Sequence, residues 1–419
     1  MYFLCKFLAT LLLLLTSFSI ATAQPVQLAE ILKEAEAKNP SLKIAQEQIK
    51  LTFSQIKQVT SLQDPIVSVS LLNYPIDSFK TNQTPMTGNE IRLAQKFPFP
   101  GKLDVKGKIA AKKSLWFSSV YQDARLQIRR QVKDAWYRLL FQRQAIELTN
   151  RNLKIFDDFI QLTESRYEVG KGLQQNVLKA HLQRSQQLDK LLVLQQQEEA
   201  TSAELNSLVG RDTDQPLEIA SQLKRVSKNF NLHELQEQAT QNRPMFKAYA
   251  ALIDQYKAQR KLAKLDYRPD FTLWAGYRWR DNSLAGDGSD FVSAGVSINL
   301  PVRKQRRVAA VTEADSALRL AFQQRNNFHN QINLEIHQSL ASFEQAEKLV
   351  ELYQGGIIPQ ANQTFQATLS AYQVDKVDFL DLLDSLMTLY RYEIDSIKAI
   401  RDQQRSMARL EAAAGLEID

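Results

Sequence analysis

Two kinds of hydrophobic spacing alternate along the chain, and each occurs twice. Val132, Leu139, Ile146, Leu153 and Ile160 recur every seven residues, as do Ile336, Phe343, Val350 and Ile357. A seven-residue apolar seam is the packing pattern of helices wound in a coiled coil. The first seam lies in a helical pattern that starts after Pro98–Gly101 and breaks at Gly170. The second starts after Pro301 and breaks at Asp375. As one helix, residues 103–165 would extend roughly 94 Å at 1.5 Å per residue, beyond what a globular core can cover. A second helix follows each break and ends at Gly210 or Gly415, residue types suited to a left-handed helix cap. A further helical segment precedes each, about Leu28–Leu62 and Leu232–Leu265, closed by Pro65 or Pro269. Two shorter helices in line beside one long helix make a slender rod.

The other spacing is strict alternation. "IVSVSLLNY" (66–74) puts Val67, Val69 and Leu71 on one face, and Ser68 and Ser70 on the other. "EIRLAQKF" (90–97) sets Ile91 and Leu93 opposite Arg92 and Lys96. "FTLWAGYRWR" (271–280) sets Phe271, Leu273, Tyr277 and Trp279 opposite Thr272, Arg278 and Arg280. "FVSAGVSINL" (291–300) sets Val292, Ala294, Val296 and Ile298 opposite Ser293, Ser297 and Asn299. Period two with one apolar face predicts strands. Their lengths approach the ~9–11 residues of a tilted strand that crosses a bilayer. Tyr74, Tyr277, Trp279 and Phe291 stand at strand ends, as in an interfacial aromatic girdle. With the helices committed to rods, lipid is the simpler cover for Val67, Val69, Leu71, Leu273, Val292 and Val296. Ser70 and Ser297 then face water. A small soluble sheet capping a coiled coil is the alternative. Four strands close no barrel around a lumen, and lipid tolerates no open sheet edge, so several chains would each contribute a sheet.

The doubling extends over the whole pattern. Displaced by 204 residues (232 − 28), "LAEILKEAEAKNPSL" falls on "LHELQEQATQNRPMF", Asn39-Pro40 on Arg243-Pro244, and Pro65 on Pro269. A displacement of 205 aligns Leu205 with Leu410 and Gly210 with Gly415. It also places "RYEVGKGLQQNVLKA" (166–180) on "AYQVDKVDFLDLLDS" (371–385). A fixed long period marks a repeated structural unit. The expected organisation is 24–210 and 232–415 as two repeats, 211–231 as linker, and 416–419 as tail.

Composition and charge narrow the class. Residues 1–23 combine Lys6, an apolar run and Ala21-Thr22-Ala23 before Gln24, the layout of a secretory signal peptide. The run is too short for the usual membrane anchor. Cys5, the single cysteine, lies within it, so no lipid-anchoring Cys stands at the new N-terminus, and no disulfide or cysteine metal site is expected. The net charge of +7 is spread rather than blocked, and export argues against a nucleic-acid partner. His181, His233, His329 and His337 are scattered without metal-ligand spacing. No phosphate loop or nucleophile motif is present. No catalytic residue, cofactor or metal site is therefore expected, and the protein is read as no enzyme.

Two tandem copies of helix, hairpin, very long helix and helix resemble the TolC family of outer-membrane efflux proteins. The likeness is carried above all by "RYEVGKGLQQNVLKA", "AYQVDKVDFLDLLDS" and "FPFPGK" (97–102). The last resembles the CzcC-like branch that serves heavy-metal exporters. The resemblance implies a mainly α fold with a membrane β-barrel part. As a homotrimer, it would have four strands per chain in a shared 12-stranded barrel and a helical tunnel through the periplasm of a Gram-negative cell. It implies an outer-membrane efflux duct in lipid. The partners would be a periplasmic adaptor and an inner-membrane pump, of RND type by preference. A protein-secretion duct and a poreless periplasmic coiled-coil scaffold are the rival readings. By the same resemblance, the tip turns are Gly170, Lys171, Asp375 and Lys376, and the tunnel constriction is formed by Asp381, Asp384 and Tyr372. The family's gating Arg falls on Val377 and its acidic partner on Asn176, so that hydrogen-bonded lock has no counterpart at those positions.

Overall fold

The computed structural model describes residues 27–219, 223–283 and 288–416. The expected signal peptide at 1–23 and the end of the tail lie outside them. In chain order the first half holds α1 (Leu28–Lys38), α2 (Pro40–Thr60), β1 (Ile66–Leu72), β2 (Gly88–Phe97), α3 (Lys102–Glu168) and α4 (Gln174–Val209). The second half holds α5 (Leu232–Asn242), α6 (Pro244–Leu265), β3 (Phe271–Trp279), β4 (Phe291–Ile298) and α7 (Lys304–Leu352). A five-residue π segment (Tyr353–Ile357), α8 (Ile358–Gln373) and α9 (Phe379–Ala414) complete it. By contact, the chain separates into two compact units, each drawn from both halves. One comprises Met1–Asn39, Gln131–Ser227 and Ser342–Arg405. The other comprises Pro40–Arg130, Lys228–Ala341 and Ser406–Asp419.

The opening segment of each half, expected as one helix, is two. Asn39 and Arg243 take ψ of 124° and 122°, because a following proline disfavours the helical region for the residue before it. Pro40 and Pro244 then begin new helices, where a missing N–H costs nothing. Both break residues are buried and put to the same use. In the first unit the Asn39 amide donates to the Leu208 carbonyl at 2.7 Å. In the second, the Arg243 guanidinium donates to the Ala413 carbonyl at 3.4 Å and pairs with Asp123 at 3.0 Å. Gly210 (φ 74°) and Gly415 (φ 70°) end the helices so addressed. A Cβ on Gly210 would lie 3.0 Å from the Lys38 carbonyl, and one on Gly415 would lie 2.9 Å from the Arg243 backbone. The left-handed cap and the proline break therefore lock together, once in each unit.

Helix α3 is continuous for 67 residues, roughly 100 Å at the α-helical rise. Its seam residues Val132, Leu139, Leu153 and Ile160 are buried, while Ile146 is half-buried. The second long pattern is not continuous. Ile336, Phe343 and Val350 are buried, but Ile357 falls in the π segment and is half-buried. Pro359, in the first turn of α8, removes a helix hydrogen bond, and the wider π turn accommodates the loss.

Strands β1 to β4 form one antiparallel sheet in chain order. Its register sets Val69, Ile91, Tyr277 and Val292 in one row, and Leu273 beside Val296 in the next but one.

Candidate functional site

Two places in the molecule concentrate the residues singled out from the sequence. They are the sheet in the second unit and the pair of helix–helix turns in the first.

On the sheet, Val67, Val69, Leu71, Leu273, Val292 and Val296 share one face, joined by Ile91 and Leu93. All are exposed, from 44 % for Ile91 to 79 % for Val292. An apolar face of this extent left open to solvent is rare on a soluble protein. The other face carries Ser68, Ser70, Glu90, Arg92, Lys96, Arg278 and Ser297 by register. Two aromatic residues sit on this face, in step with the alternation. Trp274 lies on this polar face, beneath the Arg92 guanidinium at 3.8 Å. Gly295 opposite it admits the ring, since a Cβ there would sit 2.7 Å from it. Phe291 pairs with Arg278 and so is also on the polar face, with the Arg280 guanidinium 4.5 Å above its ring. It does not continue the row of Tyr277 and Trp279.

Each end of the sheet is tied. At one end, the Thr81 hydroxyl donates to Asp281 at 2.7 Å and Arg280 donates to the Pro85 carbonyl at 2.7 Å. These bonds join the two hairpin loops. At the other end, "FPFPGK" acquires a role. Lys102, 7 % exposed, reaches Asp270 at 2.9 Å and Asp266 at 3.1 Å. The Phe99 amide donates to the same Asp270 carboxylate at 2.9 Å. Burial alone would raise the Asp270 pKa. The Phe99 amide and Lys102 outweigh it and hold the pKa below the ordinary value.

The two turns are built alike. In the first, the Gly170 amide donates to the Tyr167 carbonyl and the Lys171 amide to Arg166. In the second, Asp375 donates to Tyr372 and Lys376 to Ala371. Both close the helix end with a left-handed residue, Gly170 at φ 72° and Asp375 at φ 61°. This is the usual hydrogen-bonded helix stop. Gly170, Lys171, Asp375 and Lys376 are exposed at the turns. Beneath them lies an apolar core in which Tyr372 stacks near Phe379 at 5.8 Å, Phe379 near Phe159 at 5.9 Å, and Phe159 near Phe156 at 6.2 Å. Burial pushes the Tyr372 phenol above its ordinary pKa, against the opposing charge of Arg166. Asp381 and Asp384 are exposed on the side of α9 away from buried Leu382, Leu383 and Leu386. Neither has an ion pair among the described residues. Val377 packs against the apolar core, and Asn176 is buried.

The sequence reading missed Arg166. Its guanidinium bonds the Asp375 carboxylate and donates to the carbonyls of Tyr372 at 3.0 Å and Gln373 at 3.2 Å. It also lies 4.4 Å over the Tyr372 ring. The only sequence sign was its place, one residue before the Tyr of "RYEVGKG".

Among the described residues, no helix is long and apolar enough to cross a membrane, and no group of three His, Cys, Asp or Glu could hold a metal ion. A family model described as outer membrane efflux protein matches residues 31–211 and again 235–416. The cobalt-zinc-cadmium resistance protein CzcC of Cupriavidus metallidurans is 22 % identical over 380 residues, covering 90 % of this chain and 87 % of its own. Among solved structures, the CmeC outer membrane channel of Campylobacter jejuni superposes with a TM-score of 0.80 at 14 % identity, over 95 % of this chain and 90 % of that one. The outer membrane protein VceC of Vibrio cholerae gives 0.77 at 20 % identity, over 93 % and 96 %.

Proposed function

The chain belongs to the outer membrane efflux protein family, and we propose that three copies close one barrel and that their helix–helix turns form the gated entrance of the duct. The protein is an outer-membrane channel of a tripartite efflux system, the exit duct for substrates delivered by an inner-membrane pump and a periplasmic adaptor. The observation that carries the barrel reading is the sheet. Its apolar face is exposed on all four strands, and its outer strands β1 and β4 are edges. Lipid accepts the apolar face, but it accepts no unpaired edge. Pairing β4 of one copy with β1 of the next answers both demands, and three sheets give the strand count of a barrel wide enough for a lumen. Val67, Val69, Leu71, Leu273, Val292 and Val296 would then face lipid, with Arg92, Arg278 and Ser297 facing water.

The likeness to a cobalt-zinc-cadmium resistance protein favours divalent metal cations as cargo. Asp381 and Asp384 support the gate reading, being exposed on one face of α9 just beyond the second turn. In a trimer they would form two stacked acidic rings, which attract cations. Single-channel conductance in planar bilayers tests this. A millimolar divalent or trivalent cation should block the wild type from the turn side only, and should not block Asp381→Asn/Asp384→Asn. Equal block of both proteins, or of neither, would remove these carboxylates from the constriction.

A further inference from the structure

We propose that Arg303, Lys304, Arg306 and Arg307 form a binding surface for the phosphate headgroups of anionic phospholipid at the helix-bearing end of the sheet. The inference deepens the barrel reading and rests on it, since such a surface has a use only if the sheet stands in a bilayer.

The four bases fall within five residues, just after β4 and across the start of α7. Arg303, Lys304 and Arg306 are exposed. None of the three has an ion pair among the described residues. Arg307 is half-buried. Its guanidinium donates to the Asp266 carbonyl at 2.6 Å and to the Arg303 carbonyl at 3.1 Å. These bonds fasten the run to the connection between α6 and β3, where Tyr267 and Arg268 are exposed. The acids of that connection are already engaged, because Lys102 pairs with both Asp266 and Asp270. The first acid along α7 is Glu313. Positive charge therefore gathers here without an internal counter-ion.

The fold does not require that charge. The passage from strand to long helix is made twice, and a displacement of 203 residues (301 − 98) sets Phe99–Asp104 on Val302–Arg307. The first passage holds one base, Lys102, which is buried and paired, and it places Asp104 in the first turn of its helix. The second holds four bases, and its helix has no acid in the first turn. The dipole makes a helix N-terminus positive and favours acids there. Lys304, Arg306 and Arg307 oppose that preference, and Arg307 stands where the first repeat has Asp104. Helix α7 thus begins at a cost that α3 avoids, and a bound anion would offset it.

The adjoining surface identifies the anion. Ile298 ends the apolar row of β4 at 49 % exposure, and Leu300 and Val302 follow at 74 % each. An apolar row that runs into a cluster of bases fits an amphiphile, with acyl chains beside the strand and phosphate at its end. Clusters of four or more Lys and Arg beside a membrane segment attract anionic headgroups. A soluble phosphate would use the bases and leave Leu300 and Val302 uncovered.

The test exposes the full-length assembly, purified in detergent, to an equal mixture of phosphatidylglycerol and phosphatidylcholine, and counts retained lipid by native mass spectrometry. Wild type should prefer phosphatidylglycerol by about tenfold. Arg303→Gln/Lys304→Gln/Arg306→Gln should keep the wild-type copy number and hold the two lipids alike. Lys224→Gln/Arg225→Gln/Lys228→Gln, which removes as many bases from the linker, should keep the preference. So should Arg303→Lys/Arg306→Lys, which preserves the charge. No preference in wild type, or an undiminished one in the first triple variant, would overturn the surface. Displacement of phosphatidylglycerol by millimolar glycerol 3-phosphate would overturn it too, by making the site one for a soluble phosphate. Loss of copy number by the first triple variant in lipid-free detergent would assign the bases to a contact between copies. Each of these results leaves the barrel standing. Retention of neither lipid by wild type would instead remove the lipid face and the surface together.

Discussion

Single side chains in this protein hold helix ends where the chain must change direction. Arg166 does so at the second turn, Asn39 at the end of α4 and Arg243 at the end of α9. Arg211, just past the Gly210 cap, bonds both carboxylate oxygens of Glu34 on α1, and Lys38 approaches the same carboxylate at 3.0 Å. The Arg211 hydrogen bond, followed at a distance by Lys38, lowers the Glu34 pKa from its ordinary 4.5. A depressed carboxylate pKa stabilises the fold at pH above the unfolded value, and that contribution disappears as pH falls through the folded value. Glu34→Gln should accordingly melt below wild type at pH 7, with the gap closing below about pH 4. Thermal melts of both proteins across pH 7 to 3 check this. A gap that persists unchanged at pH 3 would mean the glutamate acts through packing rather than charge.

At the scale of elements, the proposal gives the sheet to the membrane and the long helices to the duct. The four strands bury little against their own chain on the apolar side, as the 60 % exposure of Val67 and 58 % of Val296 show. That sets the cost of a charge on each face. Val69→Arg would put a guanidinium at mid-strand on the apolar face, which in a bilayer costs about 2–4 kcal/mol near the midplane. Ser70→Arg, one residue on, points to the opposite face beside Glu90 and should be accommodated. Outer-membrane fractionation followed by a semi-native gel should show Ser70→Arg assembled and Val69→Arg depleted. If both variants reach the membrane equally as assemblies, the lipid face has been assigned to the wrong side.

The whole molecule makes demands that one chain does not meet. On the three-copy proposal, a four-stranded sheet with two edges and acidic residues exposed beyond one turn would become a barrel and a ring by repetition about an axis. Native mass spectrometry in detergent should find three copies, each beginning at Gln24 and carrying no lipid mass. A functional monomer would end the shared-barrel proposal, and an acylated or uncleaved start would end the export-signal reading at 1–23.

Much of this was legible in the sequence, because repetition and periodicity are local properties. Alternation over Ile66–Tyr74 and Phe291–Leu300 fixed the face of nearly every strand residue, since successive side chains in a strand must point opposite ways. The seven-residue seam found the long helices, and Gly210 and Gly415 marked the ends of the helices that follow them. Left-handed backbone is cheap only for glycine, so the sequence displays it. The places where reading failed are those where a partner distant in sequence decides. Asn39 and Arg243 look unrelated, yet each reaches the carbonyls of a helix end about 170 residues away. The π segment is an exception, since Pro359 and the two glycines that go with it are local. Arg166 gave no sign of its reach, for a long flexible side chain carries no periodic signature. Its contacts with Asp375, Tyr372 and Gln373 exist only once the two turns are folded side by side.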